Sequence, residues 1–233
     1  MAVIFYAMAL MGERALKLSV PVGLLVHGAY IVHRAMLLGR LPVTERLDIL
    51  SMMSFLLMAA LLVINRSKGR VEYFVVPMAS FYAFMSIFQE EVNTVDVFMR
   101  SPWFYLYSSF LILGYVLLGI GTAYGLSYLL GDDDEMEEYE HDYLLHGWLM
   151  LAVALMFGSI WFFLAYGSYW YWTAREFWLS LVWLYYGGVY LHCRYITSFN
   201  GKPAALLGVL GYPLMLFNYF GIGTVIQSPW SQF

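Results

Sequence analysis

A chain of 233 residues that is 62% hydrophobic, 19% aromatic and 12% charged lies outside the composition of soluble globular domains and belongs in a lipid bilayer. The formal charge of −4 says little about partners, because one acidic run, Gly131 to Asp142, dominates it and reads as a solvated connector. The single Cys193 excludes an internal disulfide, a CxxC redox pair and a covalent CxxCH attachment site, and neither a glycine-rich phosphate loop nor a nucleic-acid module is evident.

About 18 apolar residues suffice for a helix to cross the hydrocarbon core. The short apolar run Ala2 to Gly12 falls below that length and is followed at once by Glu13, Arg14 and Lys17, so it reads as a half-length or interfacial helix. Seven longer candidates follow at roughly 16–38, 48–65, 71–89, 103–130, 143–166, 177–196 and 204–223. The expected fold class is therefore all-α, a polytopic membrane helix bundle of about seven transmembrane helices plus the short N-terminal segment, with residues 1–233 as a single integral membrane domain. Pro21, Pro77 and Pro213 are expected to kink spans, and Gly119/Gly121, Gly187/Gly188 and Gly208/Gly211 to give small faces for close helix contact.

Orientation follows from the Lys and Arg of the loops. One side receives Arg14, Lys17, Arg66, Lys68, Arg70, Arg194 and Lys202, and the other receives Arg34, Arg40, Arg46, Arg100 and Arg175, a bias of seven against five. It places the acidic loop 131–142 in the cytoplasm and the aromatic loop 166–178 outside, in a protein integral to the cytoplasmic (inner) membrane.

Ionisable groups inside a bilayer are costly and so mark functional candidates. His27 lies in the first full span and His192 near the cytoplasmic end of the sixth. Counted from Pro21, His27 is about 9 Å from that same side, so the two imidazoles can share a depth. Two readings stand at this point: axial ligation of a non-covalent haem b, or two imidazoles each satisfied separately by carbonyls or hydroxyls. Arg34 follows His27 by two helical turns, where its guanidinium could lie beside a haem propionate or snorkel to the interface. His146 reads as interfacial and His141 as solvated.

The stretch Gly158 to Arg194 joins two apolar segments through a loop crowded with Tyr169, Trp170, Tyr171 and Trp172, flanked by Trp161, Trp178 and Trp183. Interfacial anchoring explains some of these rings. Their density points instead to a platform for a flat hydrophobic ligand or a docking protein.

Trp161, then Gly167-Ser-Tyr-Trp-Tyr-Trp-Thr-Ala-Arg-Glu-Phe-Trp178, then Trp183 and Tyr190-Leu-His192-Cys-Arg194, resembles the tryptophan-rich (WWD-like) loop of the haem-handling proteins of cytochrome c biogenesis, the CcsA and CcmC type. That loop reads approximately W-G-x-Y-W-x-W-D-P-K-E-x-W, with a haem-ligating histidine closing the next helix. His27-x6-Arg34 followed by Gly39-Arg-Leu-Pro42 looks like the family's earlier histidine helix and its G-H-x-P turn. Ser101-Pro-Trp103 with Gly114-Tyr115, and Gly201-Lys-Pro-Ala204 with Asn218-x2-Gly-x-Gly223, look like two further family helices. Where the family carries its two outer histidines this chain has Tyr107 and, near the end, Thr224 and Val225; Thr173, Ala174 and Tyr166 depart within the loop, while Arg175 and Glu176 are kept in type.

The resemblance implies a transmembrane haem b held by His27 and His192, with Arg34, Trp161, Tyr169, Trp170, Trp172 and Trp178 as further haem-contacting residues and Tyr107 as a weak oxygen ligand at best. Retained inner ligands and missing outer ones favour a non-catalytic electron-transfer subunit of a larger oxidoreductase. It would pass electrons between quinol, haem and an extracytoplasmic c-type cytochrome or redox protein, beside other membrane subunits and with a quinone as second cofactor. The alternative is haem transport or presentation for c-type cytochrome biogenesis, which explains the surviving loop.

Overall fold

The computed structural model describes residues 2–9, 13–64, 70–89, 97–131, 133–170, 172, 174–196 and 199–218. Two groups of helices share one core. In the first, the short α1 (Ala2–Met8) folds back along α2 (Glu13–Leu38), and α3 (Arg46–Val63) packs against both α2 and α4 (Glu72–Ile87). Tight packing seats α1: a Cβ on Gly23 would lie 2.8 Å from the Tyr6 ring.

The second group is built on α5 (Pro102–Leu129) and α6 (Glu135–Tyr166). Ser101 caps α5, its Oγ accepting from the Phe104 amide at 3.3 Å with Pro102 in the first turn. The two helices approach closely through reciprocal glycine–leucine pairs: Cβ atoms on Gly114 and Gly121 would come within 2.7 Å of Leu151 and Leu144, and one on Gly147 within 2.9 Å of Leu118. Gly167 ends α6 in the left-handed region (φ 74°), its N–H bonded to the Phe163 carbonyl at 2.9 Å.

The chain then enters a continuous helical run: α7 (Ala174–Leu184), a π turn (Tyr185–Leu191) and α8 (His192–Ile196). Last comes α9 (Lys202–Leu216), against α5, α6 and the π turn. α5 also touches α3 and α4 and so joins the two groups, and a Tyr82–Tyr212 hydroxyl pair at 2.8 Å ties α4 to α9.

The described residues are helical and contain no strand, and helices stand at all seven expected places. Four of them are long and apolar enough to cross a membrane: Ala15–Leu38, Arg46–Val63, Pro102–Leu129 and Glu135–Tyr166. Glu72–Ile87 and Lys202–Leu216 are apolar but shorter, so the count of seven spans is not established. Pro21, Pro77 and Pro213 lie inside helices as expected. Of the expected glycine faces, Gly121, Gly187, Gly208 and Gly211 are closed by neighbouring side chains, whereas Gly188 faces open space.

The acidic run is not the solvated connector expected for 131–142. Helix α6 begins at Glu135, with Glu135, Glu137 and Glu138 in its first turn, where the positive end of the helix dipole favours carboxylates. Glu137 is ion-paired with Arg194, and Glu140 is fully buried. The charge count that set orientation draws on Arg66 and Lys68, which lie outside the described residues.

Candidate functional site

His27 is 4% exposed, and both of its ring nitrogens are bonded: Nδ1 to the Tyr6 hydroxyl at 2.9 Å and Nε2 to the Ser51 hydroxyl at 2.8 Å. Phe55 meets the ring edge-on with centroids 5.7 Å apart. α1 and α3 thus enclose the imidazole from two sides. His192 is exposed on α8, in the other helix group. In this arrangement His27 is satisfied within its own group rather than through His192.

Arg34 faces neither solvent nor an open cleft. Its Nε donates to Asp48 and its NH2 to Glu45 at 3.1 Å, and Arg40 donates to the other Glu45 oxygen at 2.5 Å. These two arginines and two carboxylates are almost wholly buried across the turn between α2 and α3. Charges removed from water persist when they compensate one another in this way. The turn that carries the Gly39-Arg-Leu-Pro42 motif is therefore held by an internal ionic network.

The aromatic loop has a buried base and an exposed rim. Trp161, 6% exposed, donates its Nε1–H to the Phe98 carbonyl at 2.9 Å and stacks on Tyr107 with ring planes 7° apart. Phe104 meets it edge-on at 4.9 Å. Tyr169 stacks on Phe163 at 4.4 Å while remaining 61% exposed, and Trp172 is 73% exposed. Trp170, half-buried, contacts both Phe162 and Trp172, and Trp178 leans edge-on against Phe217 at 4.6 Å. Tyr171, Thr173 and the side chains of Ala174 and Arg175 lie outside what the structure describes.

Tyr107 is 2% exposed and packed between Trp161, Phe104 and Gly158. It is part of the loop's foundation and offers nothing to a ligand on the rim. Tyr115 and Asn218, from two separate motif segments 103 residues apart, meet in a buried hydrogen bond at 2.8 Å from Asn218 Nδ2 to Tyr115 Oη. The motif continues into residues 219–225, which lie outside the described residues, as do Thr224 and Val225.

Residues 16–229 match the family model described as cytochrome C assembly protein. The chain belongs to that family. A cytochrome c biogenesis protein CcsA of Chlamydomonas reinhardtii is 26% identical over 140 residues, covering 54% of this chain and 39% of that protein. A CcsA of Synechococcus sp. (strain CC9605) is 25% identical over 162 residues, covering 53% of each, and one of Marchantia polymorpha is 31% identical over 88 residues, covering 38% of this chain and 27% of the relative. The matched segments thus span about half or less of these relatives' lengths. With its apolar helices, this family member is an integral membrane protein.

Three structural features were not anticipated from the residues alone: the Tyr6 and Ser51 partners of His27, the Glu45 and Asp48 partners of Arg34, and the burial of Glu140. For Glu140 a signal existed. The buried face of α6 runs Met136, Glu140, Leu144, Gly147, Leu151, Ala154, Gly158, Trp161, an unbroken spacing of three and four that reaches back into the acidic run.

Proposed function

We propose that the chain handles haem in the maturation of c-type cytochromes, with haem as cargo held at the aromatic loop. The observation that carries this reading is the loop's construction: exposed Trp172 meets half-buried Trp170, Trp170 meets the buried Phe162 beside Trp161, exposed Tyr169 stacks on Phe163, and half-buried Trp178 leans on Phe217. Rigid aromatic faces with an apolar backing suit a flat hydrophobic macrocycle, since stacking adds to area burial and little ordering is needed on binding. The relatives' names, all cytochrome c biogenesis proteins, support the same reading.

A resident haem b on His27 and His192 is a further part of the proposal. The donor chemistry of His27 fits an axial imidazole: Tyr6 on Nδ1 is the kind of second partner that orients a ligating histidine, leaving Nε2 for iron once Ser51 turns away. His192, exposed on α8, has its imidazole accessible. When bound, such a haem would supply one-electron chemistry. Arg34 acts through its ionic network, fixing the α2–α3 turn rather than meeting a propionate directly.

Electron transfer between a quinol and an outer redox partner is the second reading, favoured by one observation. Tyr107, buried under Trp161, leaves the loop without the family's outer ligand, so haem on the rim would be held by stacking alone. The experiment that separates loop binding from inner binding is haem titration of purified protein carrying Trp170→Ala with Trp172→Ala. Loss of a weakly held haem with His27 and His192 intact supports the cargo site; unchanged binding removes it.

A further inference from the structure

Glu140 is 0% exposed in the second helix group, and neither carboxyl oxygen has a hydrogen-bond partner among the described residues. It projects from α6 into a slot walled by glycines. A Cβ on Gly125 of α5 would lie 2.6 Å from Glu140 Oε1, and one on Gly208 of α9 would collide with the same oxygen. Leu144 and Val209 border those glycines. The slot therefore holds the carboxyl group and leaves no room for a larger ligand.

The charged and titratable groups around it are few. On its own helix there is Glu137, on α8 Arg194, and in the π turn Tyr186 and Tyr190; α5 and α9 present Gly125, Gly208 and Val209. Arg194 is not a counter-ion for Glu140, because its guanidinium is paired with Glu137, whose Oε1 also accepts the Gly201 amide at 2.8 Å. An unpaired charge in so dry a position is costly, whereas a neutral acid is tolerated.

A route to water lies alongside. Tyr190 lies against Tyr186, whose hydroxyl donates to the carbonyl of Gly208 in the wall of the slot, and the Tyr190 hydroxyl lies 3.4 Å from His141 Nδ1; His141 Nε2 lies 3.0 Å from the hydroxyl of the exposed Tyr195. Tyr186 and Tyr190 both belong to the π turn, whose ladder is locally widened, and such turns concentrate at functional sites. The turn has its own side-chain anchors, with Tyr185 Oη donating to the Leu207 carbonyl at 2.7 Å.

We infer that Glu140 is a proton-binding site in the interior of the bundle, exchanging with water at the α8 end through Tyr190 and His141. Loading is a proton relay. His141 takes a proton from water at Tyr195 on one nitrogen and gives one up from the other to the Tyr190 oxygen. No direct hydrogen bond joins Tyr190 to Glu140, so the Tyr190 O–H proton passes to the Glu140 carboxylate through one intervening water, and unloading reverses each transfer. No oxidant or reductant is consumed.

The test is infrared spectroscopy of the purified full chain, reading the carbonyl stretch of a protonated carboxylic acid at neutral pH. The wild type should show a band absent from Glu140→Gln and displaced, not lost, in Glu140→Asp. On transfer to D2O the band should shift, and Tyr190→Phe should slow the shift roughly a hundredfold, the low end of what a positioned proton-transfer group contributes. The Asp variant keeps the test valid if the Gln variant fails to fold. Identical spectra for wild type and Glu140→Gln would refute protonation at this site. A band that never shifts in D2O would make Glu140 a sealed structural acid, and an unchanged rate in Tyr190→Phe would remove the route.

Discussion

The Tyr6 hydroxyl and His27 Nδ1 lie 2.9 Å apart, 21 residues apart in sequence, so the half-length N-terminal helix reaches the first histidine of the bundle. With Ser51 on Nε2, each ring nitrogen meets a hydroxyl, a group that can donate or accept and so serves either tautomer of a neutral imidazole. Tyr6→Phe should cost about 1–3 kcal/mol, the penalty for leaving a buried polar atom unbonded, measured as a lowered denaturation midpoint. Ser51→Ala should leave haem content unchanged or raised, because it frees Nε2, whereas His27→Ala should deplete haem. A Ser51→Ala protein that loses haem would count against Nε2 as the ligating atom.

Arg34→Ala should be among the most destabilising single changes, about 3–5 kcal/mol, because it strands the buried carboxylate of Asp48 and leaves Glu45 to Arg40 alone. Arg34→Lys should recover only part of the loss, since one ammonium cannot serve two carboxylates in a fixed fork. Thermal unfolding in detergent reads both. Equal stability of Arg34→Ala and wild type would refute the network's role.

The glycine contacts predict a contrast. Gly121→Ala should cost about 1–3 kcal/mol, since its Cβ would press on Leu144 and on the α6 backbone at Leu144 N, 3.1 Å away. Gly188→Ala, facing open space, should fall within about 0.5 kcal/mol of wild type. Parallel melting curves decide it.

Much of this architecture was legible in the chain. Apolar length placed the helices, prolines marked their interiors, and the motif around Trp161 to Trp178 located the loop. What escaped was set by tertiary contact. Nothing local to His27 announces Tyr6 or Ser51, and Arg34 looks unpaired until the turn folds Glu45 and Asp48 onto it. Composition also misled at 131–142: its charge density read as solvated, although the three-and-four spacing from Glu140 to Trp161 already carried the buried face through it. The motif resemblance set Tyr107 where a histidine is expected, but only packing reveals it as the floor beneath Trp161.

The loop's base and rim should respond differently to truncation. Trp161→Ala removes a buried ring and its bond to the Phe98 carbonyl and should cost about 3–5 kcal/mol of stability. Trp172→Ala removes a ring that is 73% exposed and should leave stability unchanged while weakening haem retention. Unfolding curves and haem titrations on the same preparations separate the two effects.

Haem handling in cytochrome maturation is tested most directly by the haem-stained profile of c-type cytochromes in a strain from which this chain is deleted. The proposed function predicts a general loss of holocytochromes c, restored by the wild-type chain but not by the Trp170→Ala, Trp172→Ala double variant. An unchanged profile would contradict it and leave electron transfer as the reading to pursue.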